Sequence, residues 1–232
     1  MSGLGITWHI EELVFTPVHK TGKKFVNLTA PGVERIRFQM SEDHNTNIQT
    51  ITWGVSTPQN PQLNEQKECE KFNLDLNVPS DALKKFLRDL DEKCEEQAAE
   101  HSLDWFGKKM EARDVNMKYN RLLKQKDDGT FSVRVKVNAH TTKTPTNIWV
   151  VKDCQGEQIE YFKGTIDHLT KDARCLVMVE ASSIWFSKLF GISLVALDIL
   201  VWPVEKKTGI DALNLPDVKL VEVKDQQCDA VE

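Results

Sequence analysis

Residues 128–138 read DGTFSVRVKVN. After the Asp128-Gly129 turn signal, Phe131, Val133, Val135 and Val137 fall on one side of an extended chain. Ser132, Arg134, Lys136 and Asn138 fall on the other, because successive side chains alternate across a strand. The stretch predicts a half-buried strand whose open face carries two cations two residues apart. Lysine and arginine at such positions often only protect a strand from unwanted pairing. In a chain of 232 residues with a formal net charge of -5, the surroundings have to show whether these two hold something anionic.

Net charge hides distribution. From Trp105 to Lys152 there are eleven Lys and Arg against four Asp and Glu, so the cationic strand lies inside a basic block with a surplus of seven. From Asp211 to Glu232 six acidic residues face two lysines, which makes the tail acidic. With 40% hydrophobic and 28% charged residues the chain reads as an ordinary soluble globular protein, able to bury a sizeable core. No stretch approaches the roughly 18 consecutive apolar residues of a membrane span. MSGLGITWHIEE has no basic segment followed by an apolar run, so an intracellular protein is expected. Five cysteines, odd in number, widely separated and without a C-x-x-C pair, argue for reduced thiols against a disulfide framework or a zinc site.

Before the basic block, ITWHIEELVF, ERIRFQM, TITWGVS and KFNLDLNV are apolar-rich runs separated by turn chemistry, and they read mostly as strands. Ser80 is placed as an N-cap, and Leu83, Phe86, Leu87, Leu90, Cys94 and Ala98 form an apolar stripe at helical spacing. On the other face of that helix Asp89, Asp91, Glu92, Glu95, Glu96 and Glu100 read as solvated carboxylates with no acid/base role. The segment LDWFGKKMEARDVNMKYNRLLKQKDDG reads as a short helix and a loop. Past residue 131, NIWVVKDCQGEQIEYFKG reads as a hairpin turning at Gln155-Gly156, and ARCLVMVEASSIWFS and GISLVALDILVWPVEKK complete the strands.

The chemical motifs of an enzyme are missing. There is no G-x-x-x-x-G-K-[ST] loop to cradle phosphates, no H-E-x-x-H, no short-spaced Cys/His pairing and no G-x-S-x-G elbow. A non-enzymatic protein without metal or cofactor is expected. What remains is a basic, aromatic-bearing, β-rich region. Single-stranded nucleic acid is held by cations that follow the phosphates and by rings on which bases stack, at about 1 to 3 kcal/mol per base. Arg134 and Lys136 share one strand face, Trp149 and Lys152 lie on the next strand, and Tyr161 and Lys163 lie on its hairpin partner. Lys118 and Arg121 in the basic lead-in, with Trp185 and Lys188 further on, complete the candidate set. Composition alone also accommodates core aromatics beneath an ordinary surface of lysines.

From Lys118 to Pro203 the segments follow one another as a basic lead-in (KYNRLLKQKDDG), a strand with alternating cations (FSVRVKV) and a hairpin through a polar turn (IWVVKDCQGEQI). A Gly-bearing segment follows (YFKGTIDHLTKDARCLVMVEA), then an aromatic segment leading to a Gly-initiated strand (SIWFSKLFGISLVALDILVW). This order, over somewhat more than a third of the chain, resembles the OB-fold single-stranded DNA-binding proteins of large DNA viruses and phages. The resemblance implies a mainly β fold with α insertions, an OB-like Greek-key barrel elaborated by N-terminal strands and one long helix. It implies a single elaborated domain over residues 1–210, with N-terminal β elements in 1–80, the helix in 80–104 and barrel strands in 105–204, then the acidic tail at 211–232. It places Arg134, Lys136, Trp149, Lys152, Tyr161 and Lys163 on a face that coats single-stranded DNA in replication, recombination or repair. It also implies a viral setting, replication partners for the acidic tail, and self-association. A β-rich structural or interaction protein, such as a virion component, is the alternative.

Overall fold

The alternation in residues 131–138 becomes a strand with Val133, Val135 and Val137 buried and Arg134 exposed. Its turn closes at Gly129, whose φ of +79° is one that glycine adopts without strain, and the Asp128 carboxylate accepts the Thr130 N–H at 2.8 Å. The computed structural model describes residues 10–41, 47–56, 71–138, 143–155 and 158–204, so the acidic segment 211–232 lies outside the described residues. The first strands are β1 (Val14–Phe15), β2 (Phe25–Val26), β3 (Leu28–Thr29), β4 (Ile36–Gln39), β5 (Gln49–Ser56) and β6 (Lys71–Asn77). Three helices follow, α1 (Asp81–Glu100), α2 (Ser102–Phe106) and α3 (Ala112–Lys118). The described residues then continue with β7 (Leu123–Gln125), β8 (Phe131–Asn138), β9 (Asn147–Gln155), β10 (Gln158–Lys163), β11 (Arg174–Phe186) and β12 (Phe190–Trp202).

Pairing closes five of these strands into a ring. β5 pairs antiparallel with β6, β6 with β8, β12 with β11 and β11 with β5. The ring closes through a parallel contact between β8 and β12 at Lys136 and Val195. In chain order the ring runs first, second, third, fifth, fourth and back to first, with one parallel pair. That is the connectivity of an OB-like Greek-key barrel, and its closure through a single register pair leaves it partly open. Its interior is filled by the inward residues of each strand, among them Ile51, Leu74, Leu76, Val133, Val135, Val137, Val177, Val179 and Ala196.

Two of the five ring strands, β5 and β6, precede α1, whereas the sequence reading placed the barrel strands in residues 105–204. Short alternating strands look alike in sequence whether they close a barrel or decorate it, and only long-range pairing separates the two cases. The elaborating strands are β1 to β4. β1 pairs with β3, while β4 and β2 lie along the free edge of β11 beyond β5, at residues 178–181 and 184–185. β9 and β10 pair antiparallel, with Gln155 opposite Gln158, and Gly156 of the expected turn lies outside the described residues; β9 joins β12 in parallel, beyond the point where β12 leaves β8.

α1 starts where its cap predicts, with the Ser80 hydroxyl accepting the Leu83 N–H. Its stripe of Leu83, Phe86, Leu87, Leu90, Cys94 and Ala98 is buried, and Phe86 meets Phe38 edge-on at 4.9 Å. Each large apolar side chain so buried contributes about 1.5 to 3 kcal/mol. The helix ends at Glu100, and the expected extension to residue 104 belongs to α2, ended by Gly107 at a φ of +74°. The next segment, expected as a short helix and a loop, holds α3 and the edge strand β7. No helix of the described residues is long and apolar enough to cross a membrane.

Candidate nucleic-acid interface

The outer face of β6 and β8 forms the floor of a groove of about 300 Å³. Asn73 comes from β6, Arg134 and Lys136 from β8, and Ile192, Ser193 and Leu194 from the start of β12. One wall is the lead-in chain with Asn120, Arg121, Leu122 and Lys124, and the other is Trp185 with Leu189 from the end of β11 and the following turn. The groove thus brings together Arg121, Arg134, Lys136 and Trp185 from the sequence candidates. It adds Lys124, a cation of the same basic lead-in that was passed over. Lys188 is exposed in the adjoining turn, and Lys118 ends α3 outside the lining.

The cations differ in how they are held. The Arg134 guanidinium clamps the Asp75 carboxylate directly across the strand pair, Nε to Oδ1 at 2.7 Å and Nη2 to Oδ2 at 2.8 Å. That geometry fixes the guanidinium plane and partly neutralises it. Lys136 is half-buried, and its Nζ donates to the Ser193 hydroxyl at 2.6 Å rather than to a carboxylate. Its pKa is lowered, first by burial and then by the positive charges of Lys71 and Lys23. An anion beside Lys136 would act against this lowering, because an opposite charge favours the ammonium.

The lead-in wall is anchored from α1. Asp91 is buried and accepts the Tyr119 hydroxyl at 2.7 Å and the Leu122 N–H at 3.0 Å, with the Leu123 N–H at 3.5 Å. Burial pushes its carboxyl up to about 6 against the pull of those hydrogen bonds and of Arg121. Glu95, one turn on, receives the Arg121 guanidinium at 3.1 Å and the Asn116 amide at 2.9 Å. The expected solvated acidic face of α1 is therefore corrected at Asp91 and Glu95, which hold the chain carrying Arg121 and Lys124. Gly191 completes the wall. A Cβ there would stand 2.8 Å from the Asn120 carbonyl oxygen and 3.4 Å from the Trp185 ring, so its absence lets the lead-in and the indole close over β12.

The other sequence candidates lie elsewhere. Trp149 is level with Leu200 on β12, seven residues beyond the groove's Ser193, or about 23 Å along a strand. Its ring meets Tyr161 edge-on at 5.6 Å, and Tyr161 is 60% exposed. Lys163 is level with Trp149 on β10, and Lys152 lies 4.0 Å from Glu160. Asp198 accepts the Asn147 amide at 2.9 Å and the Trp149 N–H at 3.5 Å. The expectation that Trp149 or Tyr161 lines one surface with Arg134 and Lys136 gives way to two separate patches, a cationic groove and a hairpin of mixed charge. The reason is topological, since β12 leaves β8 before it takes up β9.

Cys94 and Cys175 are buried free thiols with pKa values raised by burial, and no group of three His, Cys, Asp or Glu able to hold a metal ion occurs among the described residues. The match to a protein-family model then gives the chain its relatives. The chain belongs to the family of unknown function DUF5871. The family match spans residues 63–208, from before β6 to just past β12. No curated protein sequence matches the chain. Among solved structures it is similar to gp2.5, a single-stranded DNA-binding protein encoded by bacteriophage T7, at TM-score 0.43 and 11% identity over 73% of this chain and 93% of that one. It is also similar to the single-stranded DNA-binding protein of bacteriophage Enc34. The C-terminally truncated form gives TM-score 0.39 at 12% identity over 84% and 98% of the two chains. The complex with single-stranded DNA gives 0.38 at 13% over 82% and 96%. The barrel itself is defined by the strand pairing of this chain.

Proposed function

We propose that the protein binds single-stranded DNA without catalysis and with little sequence preference, coating it in replication, recombination or repair. The observation that carries this reading is the convergence of Arg121, Lys124, Arg134 and Lys136 with Trp185 in one groove. The groove lies over the second and third strands of the ring and beside the turn between the fourth and fifth. Barrels of this connectivity commonly receive oligonucleotides on that face. Cations there neutralise phosphates, and the Trp185 indole offers a face to a base. Anisotropy of a labelled oligonucleotide of about 25 nucleotides, titrated at low and at physiological salt, tests the reading. Binding that weakens steeply with salt supports it. Absence of binding at low salt sinks it.

The hairpin favours a second reading for its own patch. Tyr161 is 60% and Phe162 47% exposed, on a strand that pairs with β9 along one edge, while nearby charges are mixed. Exposed rings on such an edge suit a protein contact better than a phosphate backbone. If the protein is instead a structural or interaction component, light scattering detects discrete assemblies indifferent to oligonucleotide, and Tyr161→Ser dissolves them. If the hairpin is part of the DNA path, Trp149→Ala and Tyr161→Ala weaken oligonucleotide binding instead.

A further inference from the structure

We propose that Trp53 is a nucleobase-stacking platform extending the groove across β6, a role that rests on the single-stranded DNA reading above. Its side chain is 74% exposed, more than any other large apolar side chain described. A lone exposed apolar residue needs no explanation, but this one stands outside by construction. On β5, Ile51 is level with Leu76 of β6, and Val55 is level with Leu74. Three residues of β5, 52 to 54, therefore stand opposite the single residue Asp75.

In a regular strand residue 53 shares the inward face of the fully buried Ile51. The bulge releases the indole from that face, as extra residues in a strand commonly re-aim a side chain. The Thr52 hydroxyl donates to the Asp75 carbonyl at 3.2 Å and pins the irregularity to β6.

Asp75 also fixes where the indole stands relative to the groove. On its other side Asp75 is level with Arg134 of β8 and is clamped by it. Trp53, Asp75 and Arg134 thus occupy three successive strands, whose outer backbones stand about 10 Å apart by two strand spacings, and the guanidinium reaches back over the middle strand to Asp75. The guanidinium offsets the charge of the carboxylate between them, which lessens its repulsion of an anionic chain. An exposed ring beyond a row of cations matches a polymer that alternates phosphate and base. Trp185 at the opposite wall gives the groove a ring at each side.

The test compares Trp53→Ala and Trp53→Phe with the wild type on two probes of equal length, an oligothymidylate and an abasic sugar-phosphate oligomer. The proposal predicts that Trp53→Ala loses about five- to a hundredfold in affinity for oligothymidylate. It predicts that Trp53→Phe keeps most of the affinity and that all three proteins bind the abasic oligomer equally. Equal binding of oligothymidylate by the wild type and Trp53→Ala overturns the stacking role and leaves the groove standing. An equal loss on both probes also overturns it, since a base contact cannot act on a chain without bases. A wild type that binds neither probe overturns the stacking role together with the reading beneath it.

Discussion

At the scale of the residue, the decisive positions are carboxylates. Asp91 reads in sequence as one more acid on a charged helix, yet it lies four residues after Leu87, three before Cys94 and seven before Ala98. That spacing places it on the apolar stripe, and it is buried to 1% exposure. Its burial was therefore legible in the period, though its partners on the lead-in were not. Removing it in Asp91→Ala strands the Leu122 and Leu123 N–H groups and the Tyr119 hydroxyl, and costs about 3 kcal/mol by urea unfolding. The pH dependence has a definite sign. A carboxyl raised from 3.8 to about 6 favours the folded state at low pH, and this contribution is lost as pH rises through 6. The stability of the wild type relative to Asp91→Asn accordingly improves by about 2 kcal/mol from pH 7 to pH 4, as thermal or urea unfolding at each pH checks. Asp75 acts on the ligand side. Asp75→Asn releases Arg134 and tightens oligonucleotide binding at low salt by about two- to fivefold, which anisotropy measures.

At the scale of the element, what was legible is what depends on neighbours in sequence. The cap at Ser80, the stripe of α1, the alternation of β8 and the antiparallel pairing of β9 with β10 are local chemistry, and the structure has each of them. Gly191 was legible only as a glycine at the head of a strand. Its reason is the Asn120 carbonyl, seventy-one positions earlier, packed where a methyl would stand. Gly191→Ala pushes the lead-in off β12, with a loss of about 1 to 3 kcal/mol in stability. Because that strap carries Arg121 and Lys124, the same substitution weakens oligonucleotide binding, and a melting curve beside an anisotropy titration separates the two effects. The bulge that turns Trp53 outward was likewise hidden, since it is a mismatch between two strands and not a property of either.

At the scale of the whole molecule, the ring of β5, β6, β8, β12 and β11 decides which candidates meet. Sequence order suggested that β8, β9 and β10 form one continuous binding face, but the chain inserts β12 between β8 and β9. Arg134 and Lys136 therefore join the lead-in and Trp185, while Trp149, Lys152, Tyr161 and Lys163 gather on the hairpin. The basic block found from composition survives as a physical feature at the groove, because the lead-in and β8 are its contiguous core. The central claim is that this groove carries single-stranded DNA, and the salt dependence of binding reaches it most directly. Each phosphate neutralised contributes a slope of about -0.7 in log affinity against log salt for single strands. The measurement is the slope for the wild type beside that for Arg134→Ala combined with Lys136→Ala. The account predicts weaker binding at low salt and a slope flatter by about 1.4 in the double variant. Unchanged affinity and an unchanged slope contradict it.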